Sequence, residues 1–233
     1  MDIVYPVGPG DRPWLRHSLR SLVNLPHDRV YVVGELPDWV NPDTATHLPT
    51  KQFSHKWQSS QHNLLTAANH PEVSDDFVLM NDDFFVTRPI AEVPTLYRGD
   101  LAMVIAEVTR LVGDSEWVRG MRESLRILTS LGIERPRCYA MHVPMVLNKT
   151  QLAATIRRNT ELRSPGVAAT DTRTMYGNLN AIGGSLATDP KSHKWRPAVD
   201  TELPFMSSAP STWGGPFTAR IRAAFPQKCA YER

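Results

Sequence analysis

The stretch "DIVYPVGPGDRPWLRHSLRSLVNLPHDRVYVVG", residues 2–34, decides the fold class. It opens with "DIVYPV" (2–7), a short apolar run of β-forming residues that "GPGDRP" ends. Asp11 can cap a helix that carries Pro13 in its first turn. Leu15, Leu19, Leu22 and Val23 then recur at i, i+4, i+7 and i+8, one apolar helix face. "RVYVVG" (29–34) is a second strand, of the kind buried on both faces. Strand, helix and strand at this spacing form a βαβ unit, whose default is a right-handed crossover between parallel strands.

Beyond that unit, "ELPDWVNPDT" reads as a loop and "SHKWQSSQHNLLTAANH" as a helix with a weak apolar stripe. "DFVLM" (76–80) is a strand, which "FFV" can continue and "TRPIAEVP" breaks. "LAMVIAEV" (101–108) is expected as a further strand. "DSEWVRGMRESLRILTSLG" (114–132) is a helix: Asp114 or Ser115 caps it, Trp117, Val118, Met121, Leu125, Leu128 and Leu131 form its apolar face, and Gly132 stops it. "CYAMHVPMVLNKTQLAATIRRN" gives an extended piece and then a helix from about Lys149. "ATDTRTMYGNLNAIGG" gives a short helix capped by Thr170 or Asp171. Past Gly184 the text is Pro, Ser, Gly and Thr with isolated aromatics, an irregular tail that wraps the domain or folds over a site. The expected division is a domain over 1–184 and a tail over 185–233.

Composition narrows the function classes. The 233 residues suffice for one α/β domain with a substantial core. A net charge of +2, from 26 basic and 24 acidic residues, does not by itself argue for a nucleic-acid or anionic-membrane partner. Cys138 and Cys229 have no metal-ligand spacing. No leader-type start and no run approaching the ~20 apolar residues of a membrane span is visible, so a cytoplasmic location is expected, the host cytoplasm for a viral chain. The 19 prolines are spread as loop punctuation.

The chemistry concentrates in "FVLMNDDFFV" (77–86). Asp82 and Asp83 stand beside Asn81 between two apolar runs, at the C-terminal end of a strand. A lone aspartate there is a turn residue bonding nearby backbone N–H groups. Two adjacent ones among Phe77, Val78, Leu79, Phe84 and Phe85 cost several kcal/mol to desolvate unless a cation or hydrogen bonds offset them. In an open α/β sheet this edge is where ligands bind, and hard carboxylate oxygens suit Mg²⁺ or Mn²⁺ carrying a diphosphate. On the residues alone, both readings stand. "GPG" is neither a dinucleotide fingerprint nor a P-loop, lacking a third Gly and a Lys-Ser/Thr.

An "NDD" ending an apolar strand, in a chain that begins with a βαβ unit, resembles the acidic metal motif of GT-A glycosyltransferases. More closely, "DIVYPVG" with its following "D" and "PW" (2–14), "LRHSLRSL" (15–22), "RVYVVGELPDWVN" (29–41), "SHKW" (54–57) and "DDFVLMNDDFFV" (75–86) resemble the Stealth family of sugar-phosphate transferases. "YAMHVPMVLNK" (139–149) and "TDTRTMYGNLN" (170–180) follow in that family's order. The tail "FMSSAPSTWGGPFTARIRAAFPQKCAYER" is similar to the ends of small phage-encoded glycosyltransferase-like proteins. The family's long insertions and late second acidic motif have no counterpart here. The resemblance implies a GT-A-like, Rossmann-like mixed sheet, mainly parallel and flanked by helices. It implies a nucleotide-sugar donor, UDP- or GDP-linked, and a Mn²⁺ or Mg²⁺ cofactor.

It also implies roles. Asp83 is the expected direct metal ligand, with Asp82 or Asn81 as its neighbour. His142, on residues alone a core histidine, becomes a metal ligand or acid/base group. Arg173 and Arg163 are candidates to clamp phosphate oxygens, against plain solvated arginines. Pro6, Val7 and Gly8 at the first strand end, with Asp11 and Arg16, fall where the donor's base or ribose docks. His55, Lys56 and Gln61 line the donor site or form an exposed helix start; His62 and His70 are surface residues. "HKW" (193–195) and "STWGG" (211–215) suit an acceptor lid or aromatic packing of the tail. The expected reaction is metal-dependent transfer of the donor's sugar to a hydroxyl of a glycan, a protein or a modified DNA base. Its rivals are sugar-1-phosphate transfer, with His142 and Arg173 central, and a nucleotide-sugar-binding module without catalysis. The basic segments "RPRCYAMH", "IRRN", "KSHKWRP" and "TARIRAAFPQK" are what a DNA acceptor would need.

Overall fold

The computed structural model describes residues 1–10, 12–164, 166, 169–192 and 202–233. In chain order its elements are β1 (Asp2–Val7), α1 (Pro13–Ser21), β2 (Val30–Gly34), β3 (Ala45–Leu48), α2 (Lys56–Asn69), β4 (Asp76–Leu79), β5 (Phe84–Val86) and β6 (Leu96–Tyr97). There follow α3 (Leu101–Val112), α4 (Glu116–Ser130), β7 (Met145–Asn148), α5 (Lys149–Leu162), α6 (Thr172–Leu179), β8 (Ser185–Leu186), β9 (Lys191–Ser192), β10 (Phe205–Ser208) and α7 (Pro216–Ala224). The chain divides into two compact units. The first comprises Met1–Val93, His142–Lys149 and Asp189–Arg233; the second comprises Pro94–Met141 and Thr150–Thr188.

The first unit is built on a five-stranded sheet in the order β3-β2-β1-β4-β7. All pairs are parallel except β4 with β7. The βαβ expectation holds: Ile3 of β1 faces Val30 of β2 on one side and Val78 of β4 on the other. Parallel strands are covered on both faces, so Val30, Tyr31, Val32 and Val33 are all inaccessible to solvent. Leu15, Leu19 and Leu22 bury the predicted face of α1, each stabilising the fold by about 2 kcal/mol. Val23 does not join them. The chain tightens into a 3₁₀ turn at Leu22–Asn24, which rotates Val23 outward to 82% exposure. Asp11, the expected cap of α1, lies outside the described residues.

"FFV" does not continue β4. It forms β5, in a separate sheet ordered β5-β10-β9. The tail expected to be irregular therefore contributes two strands to this sheet, and its α7 packs Phe217, Ile221 and Phe225 against Phe85 and Met206.

The second unit holds α3, α4, α6 and all but the first residue of α5, with the small pair β6-β8. "LAMVIAEV", expected as a strand, is helical. Leu101, Val104, Ile105 and Val108 recur at i, i+3, i+4 and i+7 and are buried, and the Asp100 side chain accepts from the Ala102 and Met103 amides. Helix α4 matches its expectation. Ser115 caps it, and Val118, Met121 and Leu128 are buried, with Trp117, Leu125 and Leu131 packed beside them. Asp171, not Thr170, caps α6 by accepting from the Thr174 amide at 2.7 Å. Among the described residues no helix is long and apolar enough to cross a membrane.

Candidate functional site

The turn after β4 is where the acidic pair settles, at the C-terminal edge of the parallel strands. Asn81, Asp82 and Asp83 form that turn, closed by the Phe84 amide donating to the Asn81 carbonyl at 3.2 Å. Helix α1 fixes it from behind. Ser18 Oγ donates to the Phe84 carbonyl at 2.5 Å, and Tyr5 Oη lies 3.0 Å from Ser18 Oγ. Ser21 Oγ accepts from the Val86 amide at 3.0 Å. Ser18 and Ser21 thus pair with the backbone of β5, with Tyr5 holding Ser18, and the carboxylates are left to the cleft side.

A cleft of about 460 Å³ opens over the pair. Its wall includes Pro6, Gly8 and Pro9 at the end of β1, Arg12 and Trp14 at the start of α1, and Gln52, Phe53, Lys56, Trp57 and Asn63 around the start of α2. The C-terminal segment supplies Lys191, Ser208 and Pro210. Pairing of β10 with β5 sets Ser207 opposite Phe84, which brings the tail to the acidic turn.

Each aspartate has one cation beside it. Arg12 Nε lies 3.6 Å from Asp82 Oδ2, and Lys191 Nζ lies 3.6 Å from Asp83 Oδ2. Ser207 Oγ donates to Asp83 Oδ2 at 3.3 Å. The two carboxylates retain only 17% and 16% side-chain exposure, so screening by water is weak. Burial and the neighbouring charge of Asp83 push the Asp82 carboxyl up to about 6, against the pull of Arg12.

Arg12 Nε and Trp14 Nε1 both turn toward Asp82, while Gln52 Oε1 and Ser208 Oγ are buried in the same cleft without a hydrogen-bond partner among the described residues. Native structures pair nearly all such atoms, so a cluster of them marks where a ligand's polar groups belong. Arg12 is itself steadied by its Nη2 donating to the Pro9 carbonyl at 3.1 Å, which folds the "GPG" turn against it.

Of the residues singled out in the sequence, Pro6, Gly8, Lys56, Asn81, Asp82 and Asp83 line the cleft. Val7 is buried beneath it. Arg16 is engaged elsewhere, with Nη1 2.6 Å from Glu232 and its guanidinium 4.3 Å from the Trp39 ring centre. His55 precedes α2 as an exposed residue, and Gln61 is half-buried on that helix. His142 donates through Nδ1 to Asp189 at 2.9 Å, while its amide donates to the other carboxylate oxygen at 3.1 Å. That pairing fixes the ring and turns Nε2 away from Asp189. Arg173 donates to the Met141 carbonyl at 3.0 Å, within the second unit. Arg163 ends α5's turn there, its amide bonded to Asn159. Asp11 and the "HKW" segment lie outside the described residues. The residues that sequence reasoning missed are Arg12, Trp14, Gln52, Lys191 and Ser208. Only "PW" and the basic start of α1 offered a signal.

The site fits a hard divalent cation. Adjacent carboxylates, one of them pushed up by burial and by its neighbour's charge, are oxygen donors of the kind that Mg²⁺ or Mn²⁺ takes. No third His, Cys, Asp or Glu completes a cluster with them among the described residues.

This architecture, a mainly parallel central sheet with one antiparallel strand and flanking helices, is of the GT-A glycosyltransferase type. The chain is similar in structure to the galactosyltransferase LgtC, solved in complex with donor and acceptor sugar analogs, at a TM-score of 0.57 and 11% identity, covering 99% of this chain and 98% of that one. An active-site mutant of LgtC aligns at a TM-score of 0.54, with 11% identity and the same coverage. At such identity the likeness speaks for the fold. No family model and no curated protein matches the sequence.

Proposed function

We propose that this chain is a glycosyltransferase that takes a sugar from a nucleotide-sugar donor and passes it to an acceptor hydroxyl. The observation that carries the proposal is the acidic turn at the strand edge, set in a cleft where Arg12 and Lys191 flank the two carboxylates and the Ser208 hydroxyl is buried without a partner among the described residues. Two cations and a buried hydroxyl around a weakly solvated carboxylate pair suit a diphosphate held with a divalent ion. The GT-A fold supports the same reading, since LgtC is a galactosyltransferase solved with donor and acceptor sugar analogs.

In this reading Asp82 and Asp83 hold the metal, Mg²⁺ or Mn²⁺, which when bound neutralises negative charge on the leaving nucleotide. Arg12 and Lys191 add fixed positive charge on either side of the pair. Trp14 Nε1 steadies Asp82, and Ser208 Oγ donates to a phosphate oxygen. The dry, preorganised wall makes each of these interactions stronger than it would be in water.

The test is release of nucleotide from a panel of UDP- and GDP-sugars with Mn²⁺, repeated with EDTA and with Asp83→Ala. Turnover in the first condition and a loss of at least about 100-fold in the other two is expected. Undiminished turnover by Asp83→Ala would remove the acidic turn from the mechanism.

A further inference from the structure

Beside the acidic turn the donors Arg12 Nε and Trp14 Nε1 face Asp82, and the buried Ser208 hydroxyl can donate or accept. Gln52 Oε1 is an acceptor. Its orientation follows from a chain of hydrogen bonds that runs in one direction only. The Val33 carbonyl can only accept, so Asn63 must turn Nδ2 toward it, at 3.0 Å. Asn63 Oδ1 therefore faces Thr50, whose hydroxyl donates to it at 2.5 Å. With its proton spent, Thr50 Oγ1 accepts from Gln52 Nε2 at 3.0 Å. Gln52 is left with its carbonyl oxygen buried and unmet, and turning the amide over would set that oxygen against the Thr50 lone pairs.

Position says which part of a ligand meets it. A Cβ on Gly34 would lie 3.1 Å from Gln52 Nε2, so the amide sits over the C-terminal end of β2. The acidic turn follows β4. With β1 between them, the two are separated by two strand spacings, about 10 Å. That is the gap a ribose bridges between a diphosphate and its base. Phe53 and Trp57 line the cleft near Gln52 and offer ring faces.

We infer that Gln52 is a specificity-determining residue, its Oε1 receiving an N–H of the donor's nucleobase, with Thr50 as the positioning residue that fixes the amide. The inference rests on the nucleotide-sugar reading above and adds to it the direction in which the donor lies. An N–H that fills a buried, unmet acceptor discriminates strongly against bases that place no donor there, because the acceptor is then left unpaired.

The test titrates the diphosphates of uridine, guanosine, cytidine and adenosine, and inorganic pyrophosphate, into the full chain with Mg²⁺ by calorimetry. Wild type is expected to bind one nucleotide roughly tenfold or more tighter than pyrophosphate. Gln52→Leu is expected to lose roughly that factor for the nucleotide and none for pyrophosphate. Thr50→Val, which frees the amide to turn, is expected to compress the differences among the four bases. Methylating the preferred base at its N–H is expected to cost wild type the same factor, a measurement that needs no variant to fold. Nucleotides bound no tighter than pyrophosphate, an unchanged ranking in Gln52→Leu, a parallel loss of pyrophosphate, or full affinity for the methylated base each overturns the role of Gln52 and leaves the proposed reaction standing. Failure of wild type to bind pyrophosphate or any nucleotide overturns both.

Discussion

Asp82 is a residue whose ionisation works against its own fold. Burial and Asp83 raise its carboxyl from the ordinary 3.8 to about 6. Between those values the folded state binds a proton that the unfolded chain has released, so stability falls as pH rises from about 4 to about 6 and stays lower above. Asp82→Asn removes the charge at constant size. It is expected to be more stable than wild type at pH 7, by up to about 3 kcal/mol, and to flatten the pH dependence between 4 and 6. Thermal melts across that range check it; an Asn variant that melts lower at pH 7 contradicts the electrostatic account. The pair itself is legible in the sequence, because two adjacent charges between apolar runs have few structural uses. Lys191 and Gln52 are not. Each is a single polar residue in a segment without periodicity, and its meaning comes from contacts with distant chain.

At the scale of elements, the C-terminal residues act as a clasp on α1. Glu232 is buried with no side-chain exposure and meets Arg16 and Arg20, each at 2.6 Å. Burial would raise its carboxyl, yet Arg20, the Cys229 amide and Arg16 together hold it down at about 2. This contribution is present above about 4.5 and is lost as pH falls toward 2. Arg20 also donates to the Phe225 and Pro226 carbonyls, and the Arg233 amide donates to Trp39. Glu232→Ala leaves two arginines facing a buried gap and is expected to cost about 3 kcal/mol, read as a lower denaturant midpoint. Because α1 carries Arg12 and Trp14 into the cleft, the same variant is expected to weaken pyrophosphate binding; an unchanged midpoint would show that the clasp is ornamental. Nothing in the sequence marks residue 232, since its ion-pair partners stand 216 and 212 positions away and leave no local pattern. Local patterns do give β1, α1, β2, α4 and α6. "LAMVIAEV" misleads because apolar residues dominate it, although its buried positions follow the helical period. "FFV" misleads because a strand partner from about 120 residues onward cannot be seen locally.

For the whole molecule, the opening βαβ unit and the strand that leads to the acidic pair are readable from the residues alone, because a strand, helix and strand at this spacing permit few arrangements; β3 and the strands of the tail are not. What the sequence does not show is that the C-terminal segment returns to the acidic turn through β9 and β10 and completes its wall. The central claim is that this turn binds a metal–diphosphate. It is tested most directly by crystals grown with Mn²⁺ and the nucleoside diphosphate that binds best. The account expects an anomalous peak against the Asp82 and Asp83 carboxylates, with the diphosphate between Arg12 and Lys191 and the base at Gln52. Nucleotide bound elsewhere, with no anomalous peak at the turn, would contradict it.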